Sequence, residues 1–550
     1  MQESMFMSRR RFSQILAAGG ATAAFAGVLT SCSSGESASE PDAAAEQQSA
    51  PEQVIVSMPT NAEPEAGFDP FVAWGCGEHV HEPLIQSTLV KTDTDMGLHN
   101  DLATSYECSE DGMVWTFKIR TDVKFTDGEP LTAEDVAFTI NGIKDAPASE
   151  VDLSMVSEAV ALDDETVEIR MVHPFNILMY TLATVGICPA HAHGDDYGSN
   201  PIGSGRYKLA QWDRGQQVIF EANPDYYGEA PVMKRVVVVF MDEDASLAAA
   251  QAGQVDVAYT SATMADALPA GYELLSVKTV DSRGISLPVV PAGAKRLAGD
   301  VEYDAGNNVT CDLALRRAMN YAVDRELLVD RSLSGHATPA FSPSDGMPWA
   351  CKDMKIATDV EKAKGILADG GWVAGDDGVL VKDGVRAEFK LYYMTNDMMR
   401  QAMAADFAEQ MAPLGIKVNV EGKSWDDLEP MSYSEAQLWG WGSNSPIEVY
   451  NLNYSEGSSD FACRDNETTN EYLEQAVSTP TIEASYELYQ KAQFDGSEGV
   501  TPDTDAPWVW LANADHLYFT RDGLKVADQK PHPHGHGWSI VNNVDEWTWA

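Results

Sequence analysis

The sequence predicts an α/β fold of two lobes with a ligand cleft between them, and three observations carry that reading. The chain has 550 residues, of which 44 % are hydrophobic, more than one ordinary domain holds and enough for large cores. Residues 235–259 read as one strand–helix–strand unit, and a second such unit lies far along the chain at residues 389–420. Separated α/β units predict separate lobes, and a cleft between lobes is a favoured place for a small ligand.

The elements follow in chain order. Ser8-Arg9-Arg10-Arg11-Phe12 precedes a mildly apolar run, Ile15 to Leu29, which ends in Leu29-Thr30-Ser31-Cys32. A basic head, a short apolar middle and small residues before a cut describe an export signal, and the paired arginines point to the twin-arginine route. Leu-Thr-Ser-Cys resembles a bacterial lipobox. Residues 1–31 are thus read as a twin-arginine lipoprotein signal and Cys32 as the lipid-bearing first residue of the mature chain. The apolar run is shorter than the roughly 20 residues that span a bilayer, so acyl chains would be the anchor. Residues 32–52, rich in Ser, Ala, Glu and Pro, read as a flexible tether. The expected location is extracytoplasmic and lipid-anchored to the cell membrane, in a periplasm or at the outer face of the cytoplasmic membrane.

Order should begin near Val54-Ile55-Val56. Trp115, Phe117 and Ile119 alternate with Thr116, Lys118 and Arg120 as a strand. A turn at Asp127-Gly128 leads to Thr132 as a helix N-cap, with Asp135 at the capping-box position and Val136, Ile140 and Ile143 as a buried stripe. In the first α/β unit, Val236 to Phe240 is a continuous apolar strand. Asp244 is expected to cap the helix, Gly253 to end it, and Val255-Asp256-Val257 to return as strand. In the second unit Phe389, Leu391 and Tyr393 alternate. Met399, Met403, Phe407 and Met411 form a helical stripe read as core, and Ile416, Val418 and Val420 alternate again.

Charge and motifs exclude several functions. The formal net charge is −48. It becomes −50 once residues 1–31, with Arg9, Arg10, Arg11 and Glu3, are set aside. Such a surface repels phosphate backbones, which argues against a nucleic-acid partner. Neither a G-x-S-x-G elbow nor a G-x-x-x-x-G-K-[ST] loop is present. His81-Glu82 lacks the second histidine of H-E-x-x-H, and no C-x-x-C pair exists. The six cysteines beyond Cys32 (Cys76, Cys108, Cys188, Cys311, Cys351 and Cys463) allow 15 full pairings, and the sequence does not choose among them.

Histidine placement is more informative. Of 11 histidines, three fall in His532-Pro533-His534-Gly535-His536, where Pro and Gly disfavour a helix. A second pair, His79 and His81, has the same spacing of two. In extended chain such residues share a face about 7 Å apart, and neutral imidazoles there suit nickel, zinc or copper. Any single one could equally be a loop histidine bonded to backbone. Metal held this way should weaken as pH falls below about 6.5, where imidazole protonates.

From about residue 54 to its end the chain resembles the family 5 extracytoplasmic solute-binding proteins of ABC importers, the oligopeptide, dipeptide and nickel binders. The likeness rests on Asp101-Leu102-Ala103-Thr104-Ser105-Tyr106-Glu107, on Val123-Lys124-Phe125-Thr126-Asp127-Gly128-Glu129-Pro130-Leu131-Thr132-Ala133-Glu134-Asp135-Val136, on Pro201-Ile202-Gly203-Ser204-Gly205-Arg206-Tyr207 and on Arg316-Arg317-Ala318-Met319-Asn320-Tyr321-Ala322-Val323-Asp324. The resemblance implies a periplasmic-binding-protein fold of type II, cluster C, with a third subdomain inserted in the first lobe. It places lobe I at residues 53–90, 200–285 and 505–550, the inserted subdomain at 91–199 and lobe II at 286–504. It also implies a non-catalytic monomer that hands a ligand to a membrane permease driven by an ATPase.

Peptide binders of the family carry an aspartate after G-W-x that pairs with the peptide's amino group. Here Gly440-Trp441-Gly442 is followed by Ser443-Asn444-Ser445-Pro446. That weakens the peptide reading, and the segment Gly77-Glu78-His79-Val80-His81-Glu82-Pro83-Leu84-Ile85-Gln86-Ser87-Thr88-Leu89 with the C-terminal His534-Gly535-His536-Gly537-Trp538 resembles the nickel-binding subgroup. This resemblance implies metal-ligand roles for His79 and His534 first, then His81 and His536, around Ni²⁺ with a small chelator such as histidine. Trp441 and Arg283 are weaker pocket candidates, with core packing and a surface ion pair as their ordinary alternatives. Short peptides are the alternative ligand.

Overall fold

The computed structural model describes residues 51–550 except 73, 74, 77, 78, 148, 300 and 536, and describes the backbone alone at 75, 76, 79 and 80. The export signal, Cys32, most of the tether and His536 lie outside the described residues. Among the described residues no helix is long and apolar enough to cross a membrane.

The first lobe is built on a seven-stranded sheet. Its order is Tyr207–Asp213, Gln217–Ala222, Arg235–Phe240, Gln53–Met58, Val257–Thr260, His516–Arg521 and Tyr272–Val277. Gln53–Met58 runs parallel to Arg235–Phe240 on one side and Val257–Thr260 on the other, so the first α/β unit straddles the N-terminal strand. Val54, Val56, Val236, Val238 and Val257 are fully buried with Trp538 and Trp547. The helix of this unit spans Glu243–Gln251, and its cap is Asp242 rather than Asp244. Asp242 keeps an extended backbone (φ −72°, ψ 160°), whereas Asp244 lies inside the first turn, where a carboxylate complements the helix dipole.

The second lobe has a six-stranded sheet in the order Ala337–Pro339, Trp508–Ala514, Ser282–Ser286, Ala436–Trp441, Glu388–Met394 and Lys417–Lys423. Glu388–Met394 and Lys417–Lys423 are the parallel strands of the second α/β unit. Its helix, Met398–Met411, buries Met403, Phe407 and Met411 completely. Sheet membership moves two expected lobe boundaries. Residues 282–285 and the strand Trp508–Ala514, both assigned to lobe I from sequence, are central in the second sheet.

The inserted subdomain holds a four-stranded antiparallel sheet, Ala103–Cys108, Val114–Ile119, Thr166–Met171 and Val156–Asp163. Helix Ala133–Asp145 packs on it, with the Thr132–Asp135 capping box formed. Its core merges with Leu473, Ala476, Ile482 and Tyr489 of the second lobe. Asn176 Nδ2 donates to the carbonyls of Ala476 (2.8 Å) and Thr479 (3.0 Å), and the hydroxyls of Tyr180 and Tyr486 pair at 2.8 Å. Cys108, Cys188, Cys311, Cys351 and Cys463 are free thiols.

Candidate functional site

The chain crosses between the two sheets at adjacent places. One crossing joins Tyr272–Val277 to Ser282–Ser286, and the other joins Trp508–Ala514 to His516–Arg521. They are tied together where Thr279 Oγ1 donates to the Ala514 carbonyl (2.6 Å) and the Ala514 N–H donates to the Asp281 carbonyl (2.9 Å). The segment around His532 lies beside them in extended form. The Val280 N–H donates to the His532 carbonyl at 2.9 Å, and the His534 N–H to the Gly442 carbonyl at 2.8 Å. The carboxylate of Asp281 and the rings of His516, His532 and His534 thereby meet at the junction of the lobes.

Asp281 is the hub. Its carboxylate is buried and accepts from Arg283 Nη1, from Arg283 Nη2 (3.1 Å) and from His534 Nδ1. His516 Nε2 lies 3.4 Å from the second oxygen. Burial alone would raise the pKa of this carboxyl. Arg283 and His534 overcome that and hold it well below the usual carboxylate range. The Arg283 pair is thus buried, not the surface ion pair that was its ordinary alternative. His534 is pulled below an ordinary imidazole by burial, against the pull of Asp281 and with the help of Arg283 and Arg400.

Register explains how so much charge fits. Arg283 faces Gly440 across the strand pair. A Cβ on Gly440 would lie 2.5 Å from His534 Cε1, 2.6 Å from Arg400 Nη2 and 3.0 Å from Arg283 Nη1. Only a residue without a side chain leaves that space to two guanidiniums and an imidazole. Arg400, on the methionine-rich helix, is lowered to about 10 by burial and the neighbouring Arg283. Its Nε faces Asp397 at 3.4 Å.

His81 is buried and donates to or accepts from Ser539 Oγ at 3.1 Å through Nδ1. Its Nε2 has no hydrogen-bond partner among the described residues. Burial, and then the proximity of His516, lower it to about 4, so the ring is neutral with a nitrogen lone pair to offer. His532 and His516 share an Nδ1···Nδ1 contact of 3.1 Å. The backbone of His79 forms a short strand with Val80; its side chain and His536 lie outside the described residues. Trp441 sits at the rim of an aromatic cluster, 5.9 Å from Trp439 and 6.1 Å from Phe461 by ring centroids. Its buried Nε1 is unpartnered among the described residues.

Sequence reading missed Asp281, Arg400, His516 and Glu448. Glu448 belongs to helix Ile447–Asn453, just after the G-W-G turn. One of its oxygens accepts from the Gly442 N–H at 2.8 Å, and the other, buried, has no partner among the described residues. Burial raises it to about 8 against the pull of the Gly442 N–H, with Asp281 adding repulsion. Away from this junction, the ligand atoms of Asp69, Cys188 and His193 lie within 4.8 Å of one another, a group that could hold a metal ion.

Two α/β lobes around a buried, charged junction, with a subdomain inserted in the first, form a periplasmic-binding-protein fold of the type II, cluster C kind. The model of the bacterial extracellular solute-binding proteins, family 5, matches residues 97–462, and the chain belongs to that family, whose members are non-catalytic extracytoplasmic receptors that deliver a small ligand to an ABC permease. Protein XP55 of Streptomyces lividans is 30 % identical over 472 residues, 82 % of each chain. The oligopeptide-binding protein AppA of Bacillus subtilis is 28 % identical and covers 68 % of this chain and 71 % of its own. The structure of NikZ from Campylobacter jejuni in complex with Ni(L-His) superposes with a TM-score of 0.70 at 25 % identity, over 90 % of this chain and 99 % of that one.

Proposed function

We propose that the cleft captures nickel as a chelate with a small amino acid such as histidine, and that the loaded protein delivers it to a permease and ATPase pair. The observation that carries this reading is the neutral, buried His81 ring with its Nε2 unpartnered among the described residues. Neutral imidazole is a good nickel ligand, and His534, His79 and His536 are the further candidates for the same ion. Arg400, whose pairing to Asp397 is loose at 3.4 Å, suits the carboxylate of a chelating amino acid. Trp441 would wall the site. The similarity to NikZ, whose structure holds Ni(L-His), supports the same ligand class. Residues 1–31 act in this reading as the export signal. Cys32 is the lipid anchor and residues 32–52 the tether that keeps the receptor near its permease.

A second reading, short peptides, is favoured by Glu448. The aspartate missing after G-W-G has a stand-in from the next helix, a buried carboxylate with one oxygen unpartnered among the described residues. An ammonium group placed there would gain the partner that the local sequence does not provide. Calorimetric titration of chelator-stripped protein separates the two. Ni²⁺ with L-histidine should bind tightly and His81→Ala should lose at least tenfold. Binding of a di- to pentapeptide mixture with no response to nickel would overturn the chelate reading in favour of the peptide one.

A further inference from the structure

We propose that Asp69, Cys188 and His193 form a second metal site, separate from the cleft, for a thiophilic divalent ion such as zinc, nickel or cobalt. Asp69 follows the first strand of lobe I, whereas Cys188 and His193 lie where the inserted subdomain returns to that lobe. Three donor types therefore converge from segments more than a hundred positions apart in the chain. His193 Nε2 and Asp69 Oδ1 are 3.0 Å apart, and the trio spans at most 4.8 Å. Donors bound to one zinc ion at about 2.0–2.3 Å stand roughly 3.5 Å apart. An edge at the 4.8 Å limit would shorten by about one ångström on binding.

The surroundings already orient the donors. The His193 ring stacks on Phe71 (centroids 4.0 Å apart, planes 29°) and lies 4.8 Å from Tyr197. Asp69 Oδ1 also accepts from the Phe71 N–H at 2.9 Å. The Cys188 N–H donates to Thr139 Oγ1 at 2.9 Å, which fixes the sulfur's backbone. Such outer contacts set ring tautomer and donor direction in metal sites. These contacts run to Phe71, Tyr197 and Thr139, not to Asp281, Arg283 or His534. A thiolate, an imidazole and a carboxylate together suit zinc, nickel or cobalt better than magnesium or calcium.

Binding would convert the Cys188 thiol to a metal-bound thiolate and release one proton to solvent. His193 would bind through Nε2 as its Nδ1–H tautomer, giving up its hydrogen bond to Asp69, and water would complete four-coordination. The ion would staple the inserted subdomain to lobe I.

The test uses purified, chelator-stripped protein and Co²⁺ or Zn²⁺ alone. One equivalent of Co²⁺ should produce a thiolate-to-cobalt charge-transfer absorption that Cys188→Ser abolishes and His81→Ala retains. X-ray absorption of the one-equivalent zinc form of the unaltered chain should show a sulfur neighbour at about 2.3 Å, which decides the matter even if Cys188→Ser fails to fold. Absence of sulfur from that shell, or a cobalt band that survives Cys188→Ser, overturns the proposal. Neither outcome bears on the cleft, since the cleft's ligands contain no described thiol.

Discussion

Asp281 is buried with Arg283 and His516 and binds the half-buried His534 as well, so its neighbours cannot be removed one at a time without cost. Arg283→Met should destabilise the protein by about 3–5 kcal/mol, the cost of leaving a buried charge without its partner. The double variant Arg283→Met/Asp281→Asn should lose less, and urea unfolding measures both. Glu448 has the opposite sign. Its carboxyl is raised to about 8 from an ordinary value near 4.3 in the unfolded chain. Between those values the native state holds the extra proton, so stability should fall as pH rises from about 4.5 to 8. Glu448→Gln should flatten that segment of the melting-temperature profile, and an unchanged slope would refute the assignment. His81 stays neutral down to about 4, because burial opposes its protonation. The expectation of metal loss below about 6.5, read from an ordinary imidazole, therefore does not extend to this ring.

At the scale of elements, strand register is what makes the site. Gly440 faces Arg283, and its missing side chain is the space that His534 and Arg400 occupy. Gly440→Ala should cost about 1–3 kcal/mol, as overpacking does. It should also lower ligand affinity at least tenfold, read by calorimetry beside a thermal melt; a melt shift without an affinity change would mean that His534 and Arg400 lie outside the ligand's reach. Elements whose evidence is local were legible from sequence. The Thr132–Asp135 box formed as read, and the stripe Met403, Phe407, Met411 is buried, because capping and periodicity depend on near neighbours. The helix cap slipped from Asp244 to Asp242. In a run with three acids, only the point where the strand releases the chain selects the cap.

For the whole molecule, the inserted subdomain is a bridge, bonded to the second lobe through Asn176 and Tyr180. Asn176→Ala leaves the Ala476 and Thr479 carbonyls without this donor and should cost about 1–3 kcal/mol. Denaturant unfolding should register that loss, and a change below 0.5 kcal/mol would mean that the bridge is carried by apolar packing alone. The sequence by itself determined the two α/β lobes, the family and the clustering of histidines at positions 79–81 and 532–536. Each of these is written in local pattern or ordered motifs. Only the tertiary structure decided that Ser282–Ser286 and Trp508–Ala514 belong to the second sheet, that Asp281 and His516 sit at the crossings, and that Glu448 supplies a carboxylate which the G-W-G turn lacks. Those facts depend on contacts between residues up to 253 positions apart, as for Asp281 and His534. Neither periodicity nor spacing encodes which distant strands become neighbours; long-range burial and register choose them.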